Sequence, residues 1–171
     1  MSTRSRIGMV REDGSVISIY SHWDGYPTHH GDILLNNYMD AAKVASLIAL
    51  GSISTLAENV DPDPKGGEIV EYDYTTGKAT RKPSNGVHTF DNPQEGVVVA
   101  YGRDRGEDPN DVKPFVQKTV NAFVKGDVEE WGYLFKDGKW FVVDGHVAKR
   151  NRKLVELTMD NLQTIENASY D

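Results

Sequence analysis

The chain contains no cysteine. This absence excludes disulfide bonds, thiolate nucleophiles and cysteine-ligated zinc, and it suits a reducing cytoplasm. Long apolar runs are also missing, because the longest, residues 44–50, is interrupted by Ser46 and is far shorter than the ~20 residues of a membrane-spanning helix. The basic residues near the N-terminus are followed by no apolar run and predict no secretory signal. The sequence therefore predicts a protein without membrane association.

Positively charged residues are also few. Lys and Arg number 19 against 26 Asp and Glu, which gives a net charge of −7 and a pI near 5.2. A general nucleic-acid binder or a membrane-surface binder needs a positive face, so both classes are disfavoured. A local basic pocket stays open, as does an acidic surface that imitates nucleic acid. The sequence leaves open whether the chain forms a homo-oligomer.

The length of 171 residues and the apolar fraction of 38% predict a single domain with one sizeable core and generous loops. Asp-Gly turns between apolar runs predict two hairpins, at residues 6–20 and 130–143. Residues at helical spacing predict a helical hairpin after the first of these, with Asp40 capping its second helix. The predicted fold is an α+β single domain spanning 1–171, with a mainly antiparallel sheet, the inserted helical hairpin and one further covering helix.

Weaker local signals assign the remaining elements. Thr28 and Thr158 are predicted N-caps of the first and last helices. Residues 97–101 are predicted to form a central strand, and residues 111–124 one helix that tolerates Pro114 in its first turn. Aromatic residues that alternate along the second hairpin are predicted to lie in the core: Trp131, Tyr133, Phe135 and Trp140.

Three stretches carry no regular pattern. Residues 52–56 are predicted to be an irregular tether beneath the helical hairpin. Residues 79–96 contain Pro83, Asn85-Gly86 and Pro93, which are typical of a flexible surface excursion. The C-terminal tail, about residues 167–171, is expected to fray.

Chemically versatile side chains are densest between Tyr20 and Asp32, which reads Y-S-H-W-D-G-Y-P-T-H-H-G-D. Aromatic faces stack on planar ligands, His and Asp hydrogen-bond or titrate, and Gly25 allows a sharp turn. The alternative is that the rings close one end of the core and that the polar groups only fix the loop. The ligand-binding residues predicted in this loop are Tyr20, His22, Trp23, Asp24 and Tyr26.

Arginines are predicted to complete the site. Arg103 and Arg105 alternate in a G-R-D-R-G segment, whose glycines allow close approach, and guanidinium groups bind phosphate or carboxylate through two hydrogen bonds. Arg6, and with it Arg4, is a further candidate for holding phosphate. The alternative is that these arginines pair with nearby acids in an acidic chain.

Neither a metal nor a catalytic centre is predicted. His22, His29 and His30 with nearby Asp side chains are compatible with zinc, but adjacent His29 and His30 would point about 100° apart on a helix. Glycine-rich phosphate loops and nucleophile-elbow motifs are absent. His22 with Asp24 is the one arrangement that favours acid–base chemistry on a phosphodiester. We therefore expect no cofactor, no metal and no assigned catalytic residue, and the sequence favours a protein that is not an enzyme.

Several motifs resemble a family of small tailed-phage and prophage proteins. They are S-R-I-G at 5–8, H-W-D-G-Y-P at 22–27, Tyr101 followed by R-D-R-G-E at 103–107, and the late Y-L-F and G-K-W hairpin at 133–140. The likeness covers most of the chain. It implies a phage setting, and with it the host cell cytoplasm, and it assigns no mechanism and no catalytic residue.

The phage setting implies an accessory protein that acts on host defence. We expect a binding protein that sequesters a nucleotide-like defence signal, with Trp23 or Tyr26 stacking on the base and arginines holding phosphates. One alternative is an acidic inhibitor, or nucleic-acid mimic, that blocks a host defence or nuclease protein. A phosphodiesterase-like enzyme is the other.

Overall fold

The computed structural model describes residues 2–169. The strands are β1 (Ser5–Val10), β2 (Val16–Ser21), β3 (Ile53–Thr55), β4 (Glu68–Asp73), β5 (Lys78–Pro83), β6 (Val99–Ala100), β7 (Phe115–Gln117), β8 (Trp131–Lys136), β9 (Lys139–Asp144) and β10 (Val155–Glu156). The α-helices are α1 (Asp32–Asn37), α2 (Ala41–Ala49), α3 (Tyr101–Arg105), α4 (Pro109–Val112), α5 (Val120–Val124) and α6 (Leu162–Ala168). A π-helical turn (Pro27–Gly31) precedes α1, and a 3-10 turn (Lys149–Asn151) precedes β10.

Eight strands form one sheet in the order β10-β9-β8-β1-β2-β3-β6, with β7 pairing on β2. Both predicted hairpins are confirmed, as β1–β2 and β8–β9, and they are joined by parallel pairing of β1 with β8. A second parallel pair links β2 to β3, whereas the other pairs are antiparallel. Strands β4 and β5 form a separate two-stranded sheet. The predicted α+β single domain with a mostly antiparallel sheet is thus confirmed.

Both faces of the large sheet bury apolar residues. One face carries the main core, which includes Ile7, Ile19 and the helical residues Leu34 and Leu47. The aromatic residues predicted from the second hairpin lie in this core: Trp131, Tyr133, Phe135 and Trp140. The opposite face carries a smaller cluster in which Phe123, Val124 and Val128 cover one part of the sheet. The part of the opposite face that is formed by β1 and β2 adjoins this smaller cluster.

The prediction of one helix over residues 111–124 is wrong. The segment is α4, then β7, then α5, and the break falls at Pro114. Lys113 has ψ 154° because the residue before a proline is displaced from helical backbone. A new helix begins only after Thr119, whose side chain caps α5 by accepting a hydrogen bond from the Ala122 N–H at 3.0 Å. Pro114 therefore terminates a helix here and does not begin one.

Two strand predictions also need correction. The segment predicted as an irregular tether contains β3, which pairs with β2 on one side and with β6 on the other. The segment predicted as a central strand, residues 97–101, contributes only the two-residue β6 at one end of the sheet. Its apolar residues are buried all the same, because loops and helices cover this edge. A run of valines predicts burial, and it does not distinguish a central strand from a covered edge.

Of the three predicted helix caps, one is confirmed. Asp40 caps α2 as predicted, since its carboxylate accepts from the Ala42 N–H at 2.9 Å. Thr28 is no cap, because it lies inside the π-helical turn and both its N–H and its hydroxyl donate to the Glu166 carboxylate. Thr158 is not the cap of the terminal helix either, since α6 begins after Asn161.

The predicted excursion at residues 79–96 is partly regular. Its first residues form β5, and the remainder is anchored by two buried side chains, Gln94 and Ser84. Gln94 accepts from the Asp63 N–H at 2.8 Å and donates to the Asp63 carbonyl at 2.9 Å. Of the predicted C-terminal tail, 167 and 168 belong to α6, while 170 and 171 lie outside the described residues. Fraying of the tail stays a prediction.

Candidate ligand site on the face of β1 and β2

The loop after β2 is shaped by an uncommon backbone conformation at Asp24 and by close contacts of Gly25. Asp24 adopts a left-handed conformation at φ 58°, which is uncommon for a residue with a side chain. Gly25 then passes so near β1 that a Cβ there would lie 2.7 Å from the Ser5 Cβ. The Tyr133 hydroxyl locks the turn by donating to the Gly25 carbonyl at 2.6 Å. The loop is therefore fixed to the sheet, and strain at Asp24 is of the kind found at functional sites.

Three of the predicted residues form a continuous polar and aromatic row. The Tyr20 hydroxyl and His22 Nδ1 are hydrogen-bonded at 2.6 Å. The His22 ring meets Trp23 edge-on, with 4.8 Å between ring centroids. Trp23 is 43% exposed, so much of its ring remains open for contact with a ligand. The alternative in which Trp23 closes the core does not fit this exposure.

Arg6 joins the row across the strand pair. It lies directly opposite Tyr20 in the β1–β2 register. Its Nε donates to the Ser18 hydroxyl at 3.1 Å, and the guanidinium lies 5.9 Å from the Phe115 ring centroid. No carboxylate within residues 2–169 approaches its nitrogens to within 4.0 Å. Burial lowers the pKa of Arg6, while the negative charges of Glu129 and Asp127 oppose the fall, so this cation is partly desolvated, and its guanidinium still has unused donors.

A carboxyl group flanks these residues at longer range. Glu129 has a left-handed backbone at φ 64° and belongs to the loop that precedes β8. Burial raises the pKa of Glu129, and the negative charge of Asp127 adds to the rise, while Arg4 and Arg6 oppose it. Burial likewise raises the pKa of the Tyr20 phenol, with a contribution from Glu129 and opposition from Arg4. Cations, a phenol, an imidazole and a carboxyl therefore share one electrostatic environment.

Arg103 is held by hydrogen bonds within the protein. Its Nη1 and Nη2 donate to the carbonyls of Val60 and Val98, each at 2.7 Å. Its Nε and Nη2 also bind the carboxylate of Asp104, at 2.8 and 3.1 Å. These hydrogen bonds connect two loops to the edge of the sheet. The contact with Asp104 agrees with the alternative that the arginines of this segment pair with nearby acids. Arg103 is not brought together with Trp23.

Arg105 occupies a second location. Its guanidinium stacks on Phe90 at 4.7 Å from the ring centroid, and Phe90 in turn lies against Tyr101 at 5.6 Å. Arg105 lines a cavity of about 340 Å³ with Phe90 and Asp104, while Arg103 lines another of about 370 Å³. Neither cavity includes residues of the loop at 20–32. These two cavities therefore do not form a single pocket that joins the loop at 20–32 to both arginines.

The second half of the loop turns toward the core. His30 is fully buried, with its Nε2 2.9 Å from the Ser21 hydroxyl and its Nδ1 2.9 Å from His29 Nδ1. Tyr26 lies against His29, with 5.8 Å between ring centroids. Within residues 2–169 no cluster of three metal-ligating side chains occurs, in these histidines or elsewhere. These contacts hold the loop in place.

Sequence reasoning missed three contributors to this surface. Ser18 is buried beneath Arg6, Phe115 lies on β7, and Glu129 precedes β8. The alternation of β2 was a usable signal for Ser18, because it puts positions 18 and 20 on one face. No sequence signal could have shown Phe115, since its segment was assigned to a helix. We define the Arg6 surface as Arg4, Arg6, Ser18, Tyr20, His22, Trp23, Phe115 and Glu129.

Comparison with protein families, curated proteins and solved structures finds no match to this chain. In the described part of the chain, no helix is long and apolar enough to cross a membrane. Function is therefore inferred from the geometry of the Arg6 surface.

Proposed function

We propose that the protein binds a small nucleotide-like anion on the Arg6 surface. The observation that carries the proposal is the state of Arg6, a partly buried guanidinium with no carboxylate of residues 2–169 within 4.0 Å, in a chain of net charge −7. Leaving a partly buried cation unpaired is costly, and an incoming phosphate relieves that cost. Arg4 adds a second positive charge near Tyr20.

The ring of Trp23 favours a ligand with a planar base. It is 43% exposed and meets the His22 ring in a T-shaped contact, so part of the indole is accessible for stacking. Stacking of a base on an aromatic side chain contributes roughly 1–3 kcal/mol. Phosphate on the arginines and a base on Trp23 together match a nucleotide better than an isolated phosphate or a neutral ring.

Isothermal titration calorimetry against cyclic oligonucleotides and ADP-ribose derivatives tests the proposal. We expect at least one member to bind, and we expect Arg6→Gln and Trp23→Ala each to weaken that binding by about 10-fold or more. Arg6→Lys keeps the charge but loses the planar fork, so it should weaken binding less than Arg6→Gln.

Arg11→Gln is the matched control. Arg11 lies at the turn end of the same hairpin, where its Nε donates to the Ser15 hydroxyl at 2.9 Å, and its loss should leave binding unchanged. Arg105→Gln tests the sequence prediction that Arg105 takes part. Folded protein that binds no member of the panel would rule the proposal out, as would equal losses in the Arg6 and Arg11 variants.

Hydrolysis of the bound ligand is a second candidate, favoured by the 2.6 Å contact between the Tyr20 hydroxyl and His22 Nδ1 beside Arg6. In that reaction the water oxygen would bond to phosphorus while His22 Nε2 takes a proton from it, and that proton would pass from His22 to the leaving oxygen as its P–O bond breaks. Chromatography of the ligand after incubation distinguishes the two functions. Products that disappear in His22→Ala favour hydrolysis, whereas unchanged ligand favours sequestration.

The biological setting that we propose is counter-defence by a phage protein in the host cytoplasm. The H-W-D-G-Y-P string supports it through the resemblance to tailed-phage proteins, and the string lies in the loop that carries His22 and Trp23. The ligand would then be a host defence signal. A stable, salt-sensitive complex with a host nuclease, recovered by pull-down, would instead favour the acidic protein-blocking inhibitor.

A further inference from the structure

Strands β4 and β5 form a hairpin that stands apart from the main sheet. Its two strands are exposed at every position except Ile69. Two-stranded sheets are marginally stable in water, and a third strand or a packed face normally supports them. The support here comes from the base alone, where Ile69 bridges to Gln94 and the Ser84 N–H donates to the Gly67 carbonyl at 2.9 Å.

One face of this hairpin carries exposed apolar residues together with Arg81, which lies opposite Val70. Val70, Tyr72 and Ala79 share that face because Tyr72 lies opposite Ala79 and Val70 lies two residues before it. Val70 is 44% exposed and Tyr72 50% exposed, and Tyr74 at the tip is 91% exposed and packs against Tyr72 at 4.8 Å. Exposed, contiguous tyrosine and valine side chains are typical of protein interaction sites.

The two strands carry opposite charge. The basic residues of β5 are Lys78, Arg81 and Lys82, and it has no acid, while the acids of β4 are Glu68, Glu71 and Asp73, and it has no base. Strand β5 pairs with β4 on one side, and its other edge is open within the described residues. Lys78 and Lys82 share one face of β5 and Arg81 lies on the other. Arg81 is paired with Glu95 and Lys82 with Glu71, so among the described residues Lys78 is the base of this strand that has no salt-bridge partner.

The ladder also shows which backbone groups are free. Because the Ser84 N–H bonds to the Gly67 carbonyl, alternate residues of β5 point their N–H groups at β4, and those of Ala79 and Arg81 point outward. Pro83, which lacks an N–H, occupies the next outward position. An incoming strand would find backbone donors at Ala79 and Arg81, and basic side chains at Lys78 and Lys82.

We propose that the open edge of β5 binds an extended, acidic segment of a partner protein as a third strand. Alternation places acids of that segment beside Lys78 and Lys82 and its apolar residues beside Ala79 and Tyr72. The acidic character of the segment follows from Lys78, since Glu95 and Glu71 already pair with Arg81 and Lys82. Polypeptide is favoured over nucleic acid because a strand accepts hydrogen bonds from the outward N–H groups of β5 and also donates its own N–H groups to the outward carbonyls, whereas phosphate groups can only accept.

Fluorescence anisotropy of a labelled peptide with the sequence of residues 68–73 tests this proposal on the intact protein. We expect saturable binding that weakens as salt rises, and at least a 10-fold loss for a peptide whose Glu and Asp are replaced by Lys. Ala79→Pro removes one outward N–H and leaves the bonds to β4, so it should also weaken binding at least 10-fold. Ala79→Ser is the matched control, since it keeps the N–H and should bind as the parent does.

Side-chain variants keep the proposal testable where a proline disturbs the hairpin. Lys78→Glu should weaken binding of the acidic peptide and strengthen binding of the lysine-substituted one. Absence of peptide binding, or equal binding by Ala79→Pro and Ala79→Ser in folded protein, would overturn the proposal. Tighter binding of an oligothymidylate that displaces the peptide would assign the edge to nucleic acid, and concentration-dependent self-association lost in Ala79→Pro would assign it to a second copy.

Discussion

Arg6 and Arg103 carry the same guanidinium and have opposite surroundings. Arg103 donates to two carbonyls and to Asp104, so its hydrogen-bonding capacity is used inside the protein. Arg6 contacts only Ser18 through hydrogen bonds within the described residues, and the carboxylates of Glu129 and Asp127 act on its charge only at longer range. Residue type in the sequence could not separate the two, because the separation depends on how the folded chain places the Val60 and Val98 carbonyls around Arg103.

His30 should make stability depend on pH. Burial, and then the charge of His29, hold the pKa of His30 well below its ordinary value of about 6.5. Below that value the unfolded chain binds a proton that the folded protein excludes, so unfolding free energy falls with decreasing pH by up to about 1.4 kcal/mol per pH unit. At pH values above this ordinary pKa, His30 is neutral in both the folded and the unfolded state, and its contribution to the unfolding free energy no longer changes with pH.

Urea denaturation from pH 8 to pH 5 measures this effect. We expect His30→Gln to be less stable at pH 8, because the contact with Ser21 is altered, and to have a flatter pH profile below 6.5. Ser21→Ala removes the same hydrogen bond and keeps His30, so its profile should retain the parent slope. Parallel profiles for the parent and His30→Gln would contradict the prediction.

At the scale of elements, the segment between β5 and β6 is held by a buried polar network. The Gln94 N–H donates to His88 Nδ1 at 2.9 Å, so His88 Nε2 carries the proton and donates toward Val98 and Asp104. The Asp104 carboxylate also accepts from the Ala100 N–H at 2.8 Å. Burial opposes its ionisation, but hydrogen bonds from Arg103 and Ala100 outweigh burial and lower the pKa of Asp104.

Replacing Asp104 should therefore destabilise the protein strongly. Asp104→Ala leaves the Ala100 N–H and part of His88 and Arg103 without an acceptor, and loss of one member of a buried pair costs about 3–5 kcal/mol. Thermal or urea unfolding measures the change. Glu107→Ala is the control, because this exposed carboxylate is 3.9 Å from Arg105 and its removal should cost at most about 1 kcal/mol.

Some helices and strands could be predicted because their deciding residues are close together in the sequence. The Asp-Gly turns of β1–β2 and β8–β9 fix their geometry within a few residues, and Gly14 and Gly138 have the positive φ that such turns require. Residues 111–124 have helical spacing of apolar residues, but Pro114 and the pairing of β7 with β2 override it. Local rules succeed where the deciding contacts are local.

At the scale of the whole molecule, the C-terminal helix braces the loop that leads to the site. Glu166 accepts from both the N–H and the hydroxyl of Thr28, at 3.0 and 2.8 Å. Leu162 is buried against Gly31, where a Cβ would approach its Cδ2 to 2.5 Å. The end of the chain thus stabilises the π-helical turn that follows Trp23 and Tyr26.

Leu162→Ala should loosen this contact. Truncating a buried leucine to alanine costs about 2–5 kcal/mol, and we expect that loss in urea denaturation. Hydrogen exchange should rise more in residues 26–31 than in the β8–β9 hairpin, since the cavity opens beside the turn. Gln163→Ala, at an exposed position of the same helix, should change neither measurement, and uniform loss of protection across the sheet would contradict a local bracing role.

The sequence by itself determined the α+β class, the two main hairpins, the aromatic core positions and the loop that carries His22 and Trp23. These features follow from alternation, turn residues and capping, which act over a few residues. Only the tertiary structure decided that β1 pairs in parallel with β8, that Arg103 is structural, and that Arg6 and Glu129 flank Tyr20. The strand pairing and the position of Glu129 depend on residues more than 100 positions apart, and the contact of Arg103 with the Val60 carbonyl spans 43 positions. No local pattern encodes which distant strand or carbonyl a side chain will meet.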